Sequence, residues 1–163
     1  MLLVDTNVLL EATDEGRTHH TDARTLVESG PRLVLAAQVI REYLVVATRP
    51  VDANGLGLTS RQALENLREF RRDIRLLPEE KPVLPTFLDL VDRTGCTGKR
   101  IHDAHIVATA KVHGVDAIVS LNVGDLSGVL DTVAVMTPGQ ALARGGAPRR
   151  RGGTRARGAR PRR

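Results

Sequence analysis

Five short apolar runs recur along the chain: LLV (2–4), LVLA (33–36), RLL (75–77), AIVS (117–120) and VAVM (133–136). They are rich in branched side chains and show no polar alternation, which is the pattern of strands buried on both faces. Between them lie stretches with helical spacing, at 19–29, 37–48, 59–73, 82–94 and 101–113. Thr59 and Ser60 can cap one start, Gly30 and Gly114 can close two ends, and Pro50 stops a third. Strands separated by helices require right-handed crossovers and a parallel sheet covered on both sides. The predicted fold class is therefore α/β, a three-layer α/β/α arrangement around a central parallel sheet of about five strands.

A chain of 163 residues is long enough for one such domain and its core. The net charge of +5 is not spread along it, because residues 144–163 hold nine arginines and no acid. Positions 1–143 carry 15 basic against 19 acidic residues, a charge of −4. The expected organisation is one domain over 1–143 and a disordered arginine-rich tail over 144–163, which can attract nucleic-acid phosphate or serve only as a solvated extension. No run reaches the roughly 18 apolar residues of a membrane span, and no leader pattern precedes LLV. The lone Cys96 forms no internal disulfide, so a cytoplasmic setting is expected.

In open α/β sheets ligands bind beyond the carboxyl ends of the strands. Asp5 ends the first strand, and Asn122 and Asp125 follow the fourth in SLNVGDL, so these residues should converge there. Glu42 in VIREYLVVA and Asp103 in RIHDAHIVATA sit on helices that are apolar around most of their circumference. A carboxylate in such surroundings is costly unless paired, protonated or bound to a metal. Each also has an ordinary structural explanation: Asp103 lies where a helix dipole favours an acid, and Glu42 can pair with the adjacent Arg41 or another cation. Several carboxylates in one crevice nevertheless repel one another unless a cation neutralises them. Mg²⁺, with Mn²⁺ as a substitute, suits such oxygen donors, and the chemistry suggested is hydrolysis of a phosphodiester.

The opening VDTN, the REYL helix, IHDAHIVATA and SLNVGDL together resemble the motifs of PIN-domain ribonucleases, and closely those of VapC-type toxins of type II toxin–antitoxin pairs. The likeness runs over about residues 1–142 in the right order and excludes the tail. It implies a PIN-like fold and a Mg²⁺-dependent endoribonuclease, usually a homodimer, inhibited by a small cognate antitoxin protein. Carried over residue by residue, Asp5, Glu42 and Asp103 match the core acids, with Asp5 and Asp103 as direct metal ligands and Thr6 as the hydroxyl after the first acid. Asn122 stands where the family's fourth acid is sought, with Asp125 three residues on; either can fill that place, or Asp125 can cap a turn beginning at Ser127.

Other features carry less. His102 and Asp103 form an HD pair, but the strands argue against the helical HD phosphohydrolases, and His102 and His105 read as ordinary helix residues. GLGL at 55–58 lacks the spacing of a dinucleotide loop and reads as a connection. With only Tyr43, Phe70 and Phe87 as aromatics, a base-stacking RNA platform is excluded, leaving RNA to be held through phosphates, with Arg41, Lys99 and Arg100 nearest the acids. A phospho-receiver would need a paired acid after the first strand and a late lysine, which VDTN and SLN do not provide. The alternative that stays open is a catalytically weakened PIN-like domain that binds RNA or a partner without cleavage, because Asn122 removes one negative charge.

Overall fold

The computed structural model describes residues 1–127 and 133–145, with the side chains of Ser29, Asp125 and Ser127 outside that description. In order, the elements are β1 (Leu2–Val4), α1 (Thr6–Thr13), α2 (His20–Ser29), β2 (Leu33–Leu35), α3 (Ala37–Thr48), α4 (Ser60–Phe70), β3 (Arg75–Leu76), α5 (Val83–Thr94), α6 (Arg100–Val112), β4 (Ala117–Val119), α7 (Val123–Ser127), β5 (Ala134–Met136) and α8 (Pro138–Gly145). All five expected strands are present, each within a residue or so of its apolar run. The sequence reading did not anticipate α8. That helix also moves a boundary: Arg144 and Gly145, assigned to the tail, close α8, while the rest of the expected tail, 146–163, lies outside the described residues.

Every strand pairing is parallel, in the order β3-β2-β1-β4-β5. The register sets Leu2 beside Leu33 and Ala117, and Val4 beside Val119. The chain steps outward from β1 to β2 and β3, then returns to place β4 on the other side of β1. This reversal makes the carboxyl end of β1 and β4 the switch point where a crevice must open. Leu3, Val4, Leu35, Ile118 and Val119 are fully enclosed, as strands covered on both faces require.

The helices pack in two groups. Helices α1, α2, α3, α4 and α8 touch one another in series, while α5, α6 and α7 form a second chain of contacts. Right-handed crossovers put the groups on opposite faces, because the chain travels in opposite directions along the sheet before and after β3. Consequently α3 and α6, which carry Glu42 and Asp103, belong to different layers and meet only at the carboxyl edge.

Local chemistry explains most helix ends. The side chain of Thr59 accepts the backbone N–H of Gln62 at 3.2 Å and its own N–H donates to the Gln62 side chain at 2.9 Å, a complete capping box for α4. Gly114 follows α6 at φ 58°, a conformation that favours glycine. Gly30 closes α2 differently: its φ is −66°, and it is needed because a Cβ would stand 2.3 Å from the Leu26 carbonyl oxygen. After Pro50 the chain wraps back over the end of α3, and the N–H groups of Leu56, Leu58 and Gly57 donate to the carbonyls of Val46, Ala47 and Arg49. The GLGL connection thus satisfies carbonyls that a helix end leaves without partners. Thr59→Ala should lower stability by about 1 kcal/mol, read by thermal or denaturant unfolding, since it removes the hydroxyl that accepts the Gln62 N–H; an unchanged midpoint would contradict this account of α4.

Candidate active site

Asp5 occupies the first position after β1, where its N–H donates to the Val119 carbonyl at 2.9 Å and continues the β1–β4 ladder. Its side chain caps α1, with Oδ1 accepting the Thr6 N–H at 2.6 Å. Oδ2 accepts from Ser120 Oγ at 2.7 Å and from Asn7 Nδ2 at 2.9 Å. Three of the roughly four acceptor positions of the carboxylate are filled, so one is left for a further ligand. Asn7 also donates to Ser120 Oγ at 2.9 Å, while its own carbonyl accepts the Leu121 N–H at 3.1 Å. Ser120 Oγ in turn accepts the Asn122 N–H at 3.1 Å. The two strand ends are therefore tied together by one closed set of hydrogen bonds around Asp5.

Glu42 comes from α3 and faces the same opening. Its Oε2 accepts from Thr6 Oγ1 at 3.0 Å; its Oε1 accepts from Gln38 Nε2 at 2.7 Å and stands 3.1 Å from His102 Nδ1. The pairing with Arg41 weighed from sequence does not occur: Arg41 is bonded to Glu79 at 3.3 Å. Adjacent residues on a helix point about 100° apart and do not face each other. Asp103, half-buried in the first turn of α6, completes the acidic wall.

One open cleft of about 800 Å³ is lined by Asp5, Thr6, Glu42, Asp103 and Asn122 together. Its flanks carry Arg41, Arg49 and Lys99, beside exposed Val45 and Ile101. Arg100, grouped with these cations from sequence, is exposed but does not line the cleft. Asp125 lies inside α7; its side chain, and the residues after Ser127 where a turn is expected, are outside the described residues. Asn7, Ser120, Gln38, His102 and Arg49 were not singled out from sequence as site residues. Ser120 ends the AIVS run and Asn7 closes VDTN, so the strand-end rule that found Asp5 could have found them. Gln38 is one helical turn before Glu42, a spacing that was equally visible.

Electrostatics explains why these acids need company. Burial pushes the Asp5 carboxyl above the ordinary carboxylate range; the Ser120 and Thr6 hydrogen bonds pull it back, and the charges of Glu42 and Asp103 push it up again. His105 is shifted the other way, its ring held below the usual histidine value first by burial and then by the charge of Arg41.

The donor set fits a hard divalent cation. Carboxylate, hydroxyl and amide oxygens line the cleft, and Cys96 is buried and not among the lining residues. Among the described residues no three His, Cys, Asp or Glu side chains stand close enough to enclose an ion unaided. An ion of this class is ordinarily held by one or two carboxylates and water, so no closed cage is required.

A family model described as PIN domain matches residues 2–124, and the chain belongs to the PIN-domain family. Within it, the chain is similar to the ribonuclease VapC48 of Mycobacterium tuberculosis, 35% identical over 120 residues that cover 70% of this chain and 82% of the relative. Among solved structures, the fold is similar to M. tuberculosis VapC20, described as a sarcin–ricin loop cleaving toxin, with a TM-score of 0.63 at 16% identity, covering 81% of this chain and 97% of that one. It is also similar to a toxin–antitoxin complex from Klebsiella pneumoniae, with a TM-score of 0.60 at 20% identity over 85% of this chain and 98% of that chain. PIN-domain ribonucleases depend on a divalent metal ion, in keeping with the acidic cleft. Among the described residues no helix is long and apolar enough to cross a membrane.

Because native Asp5 keeps its proton to higher pH than the unfolded chain, the metal-free protein should lose stability as pH rises from the ordinary value of 3.8 through the raised one. Denaturant unfolding compared with Asp5→Asn should show the difference turning against the wild type across that window. A difference that stays constant with pH would contradict the raised carboxyl.

Proposed function

We propose that this chain is a Mg²⁺-dependent endoribonuclease acting as the toxin of a toxin–antitoxin pair, with Mn²⁺ able to replace Mg²⁺. The observation that carries the reading is the convergence of Asp5, Glu42 and Asp103 on one cleft at the switch point of the sheet. Asp5 and Asp103 would hold the ion directly, and once bound it would supply a lowered pKa for the attacking water and positive charge near the phosphate. Glu42, held by Thr6, Gln38 and His102, orients that water and takes up its proton. The water oxygen bonds to phosphorus, one P–O ester bond breaks, and the departing oxygen takes a proton from solvent, Glu42 releasing the one it gained. Asn122 offers its amide oxygen at the cleft, and Asp125 is proposed to supply the remaining negative charge.

The cationic flank gives RNA a path to the acids. Arg41, Arg49 and Lys99 meet backbone phosphates beside the cleft, with Arg100 contributing from farther out. An RNA substrate, a small antitoxin protein that covers the cleft, a homodimeric assembly and a cytoplasmic setting complete the reading, which also keeps the arginine-rich segment outside the catalytic domain. Similarity to VapC48 and to a toxin–antitoxin complex supports these partners.

Cleavage of a broad RNA panel with added Mg²⁺ or Mn²⁺ tests the proposal. The wild type should cut; chelation with EDTA should stop cleavage; Asp5→Asn and Asp103→Asn should each lose about a hundredfold or more in rate. A wild type that binds RNA yet leaves it intact under all these conditions would favour the weakened, binding-only domain instead. Arg49→Ala should raise KM with kcat little changed, and reduce the salt dependence of RNA binding by about one phosphate contact.

A further inference from the structure

Gln38 is 6% exposed, one of few polar side chains buried in the described chain. It sits one turn before Glu42 on α3, and its amide spans two layers. Nε2 donates to Glu42 Oε1 at 2.7 Å and to the backbone carbonyl of His102 at 3.0 Å. Oε1 lies 2.5 Å from His105 Nδ1. These partners fix the amide orientation. Two are pure acceptors, so the NH₂ must face them, and the carbonyl oxygen is left for His105, which must donate from Nδ1. The edge-to-face contact of the Phe87 and His105 rings, 5.2 Å between centroids, holds that imidazole from the α5 side.

The consequence concerns spacing. Glu42 and Asp103 belong to helices on opposite faces of the sheet, 61 positions apart in the chain. His102, whose carbonyl Gln38 holds, immediately precedes Asp103. A second link between these helices, His102 Nδ1 to Glu42, runs through a side chain that is 67% exposed. The buried amide is therefore the better anchored of the two. We propose that Gln38 is a positioning residue that sets the gap between Glu42 and Asp103, and through those two acids the affinity for the divalent ion and the turnover of RNA. This rests on the nuclease reading of the same cleft.

The test uses the full chain with Gln38→Met, which keeps length and loses every hydrogen bond, and Gln38→Glu, which keeps shape but cannot donate to Glu42. Mn²⁺ binding by calorimetry, RNA cleavage kinetics and thermal unfolding are compared with the wild type. Both variants should lose about 10- to 100-fold in Mn²⁺ affinity and in kcat, with KM for RNA within about twofold. In a Glu42→Gln background, Gln38→Met should cost less Mn²⁺ affinity than it does in the wild type, because one of the two groups it spaces is already neutral while its hold on the His102 carbonyl beside Asp103 is still lost. Wild-type affinity and turnover in Gln38→Met, an equal loss in the Glu42→Gln background, or failure of both variants to fold would each overturn the proposal. A wild type that binds Mn²⁺ but cuts no RNA would sink the nuclease reading instead, leaving the metal-affinity comparison to judge Gln38 alone.

Discussion

The rest of this structure depends on one half-buried acid at a strand end. Asp5 stands at the end of the central strand, caps α1, and accepts from both Ser120 and Asn7. The same carboxylate thus ends β1, starts α1 and ties β1 to the segment after β4. Such a charge is expensive to enclose, and the neighbouring Glu42 and Asp103 make it more so. A fold selected only for stability would place an apolar or neutral residue there. Three hydrogen bonds, from Thr6, Asn7 and Ser120, offset part of that cost and leave room for one further ligand at the switch point.

A second property follows from topology. Helices α3 and α6 approach each other only beyond the carboxyl edge, since crossovers in opposite directions send them to opposite faces. Polar contacts join them there: Gln38 to His102 and His105, and His102 to Glu42. Directional bonds fix distance more sharply than apolar contact does, which suits two acids carried by helices of different layers. The cleft is acidic on its floor and cationic on its flank, so a polyanion can be drawn along one wall while its phosphate meets the other.

The sheet was legible in the sequence because strands buried on both faces read as unbroken branched runs, and LLV, LVLA and AIVS leave no competing period. The acids were legible because strand ends and apolar helix faces make a carboxylate conspicuous. Their partners were not. Asn7 meets Ser120 across 113 positions and Gln38 meets the His102 carbonyl across 64, and no local period encodes such contacts. Arg41 illustrates the opposite error: adjacency suggested a pair with Glu42, whereas helix geometry turned it toward Glu79. Helix α8 escaped notice because PGQALARG is short and carries few apolar residues, and its place is set by packing on α2.

The parallel pairing of the first strand with the fourth has a temporal meaning. Asp5 is made before the residues that complete its surroundings, since Asp103, Val119 and Ser120 follow it by more than 95 positions. Until β4 docks against β1, the first acid has neither its ladder partner nor its hydroxyl donor, and the opposite wall of the cleft does not exist. An incomplete chain leaving the ribosome therefore holds the ingredients of the site without the site. The fold itself delays the hazard of a working nuclease until nearly the whole domain has been made.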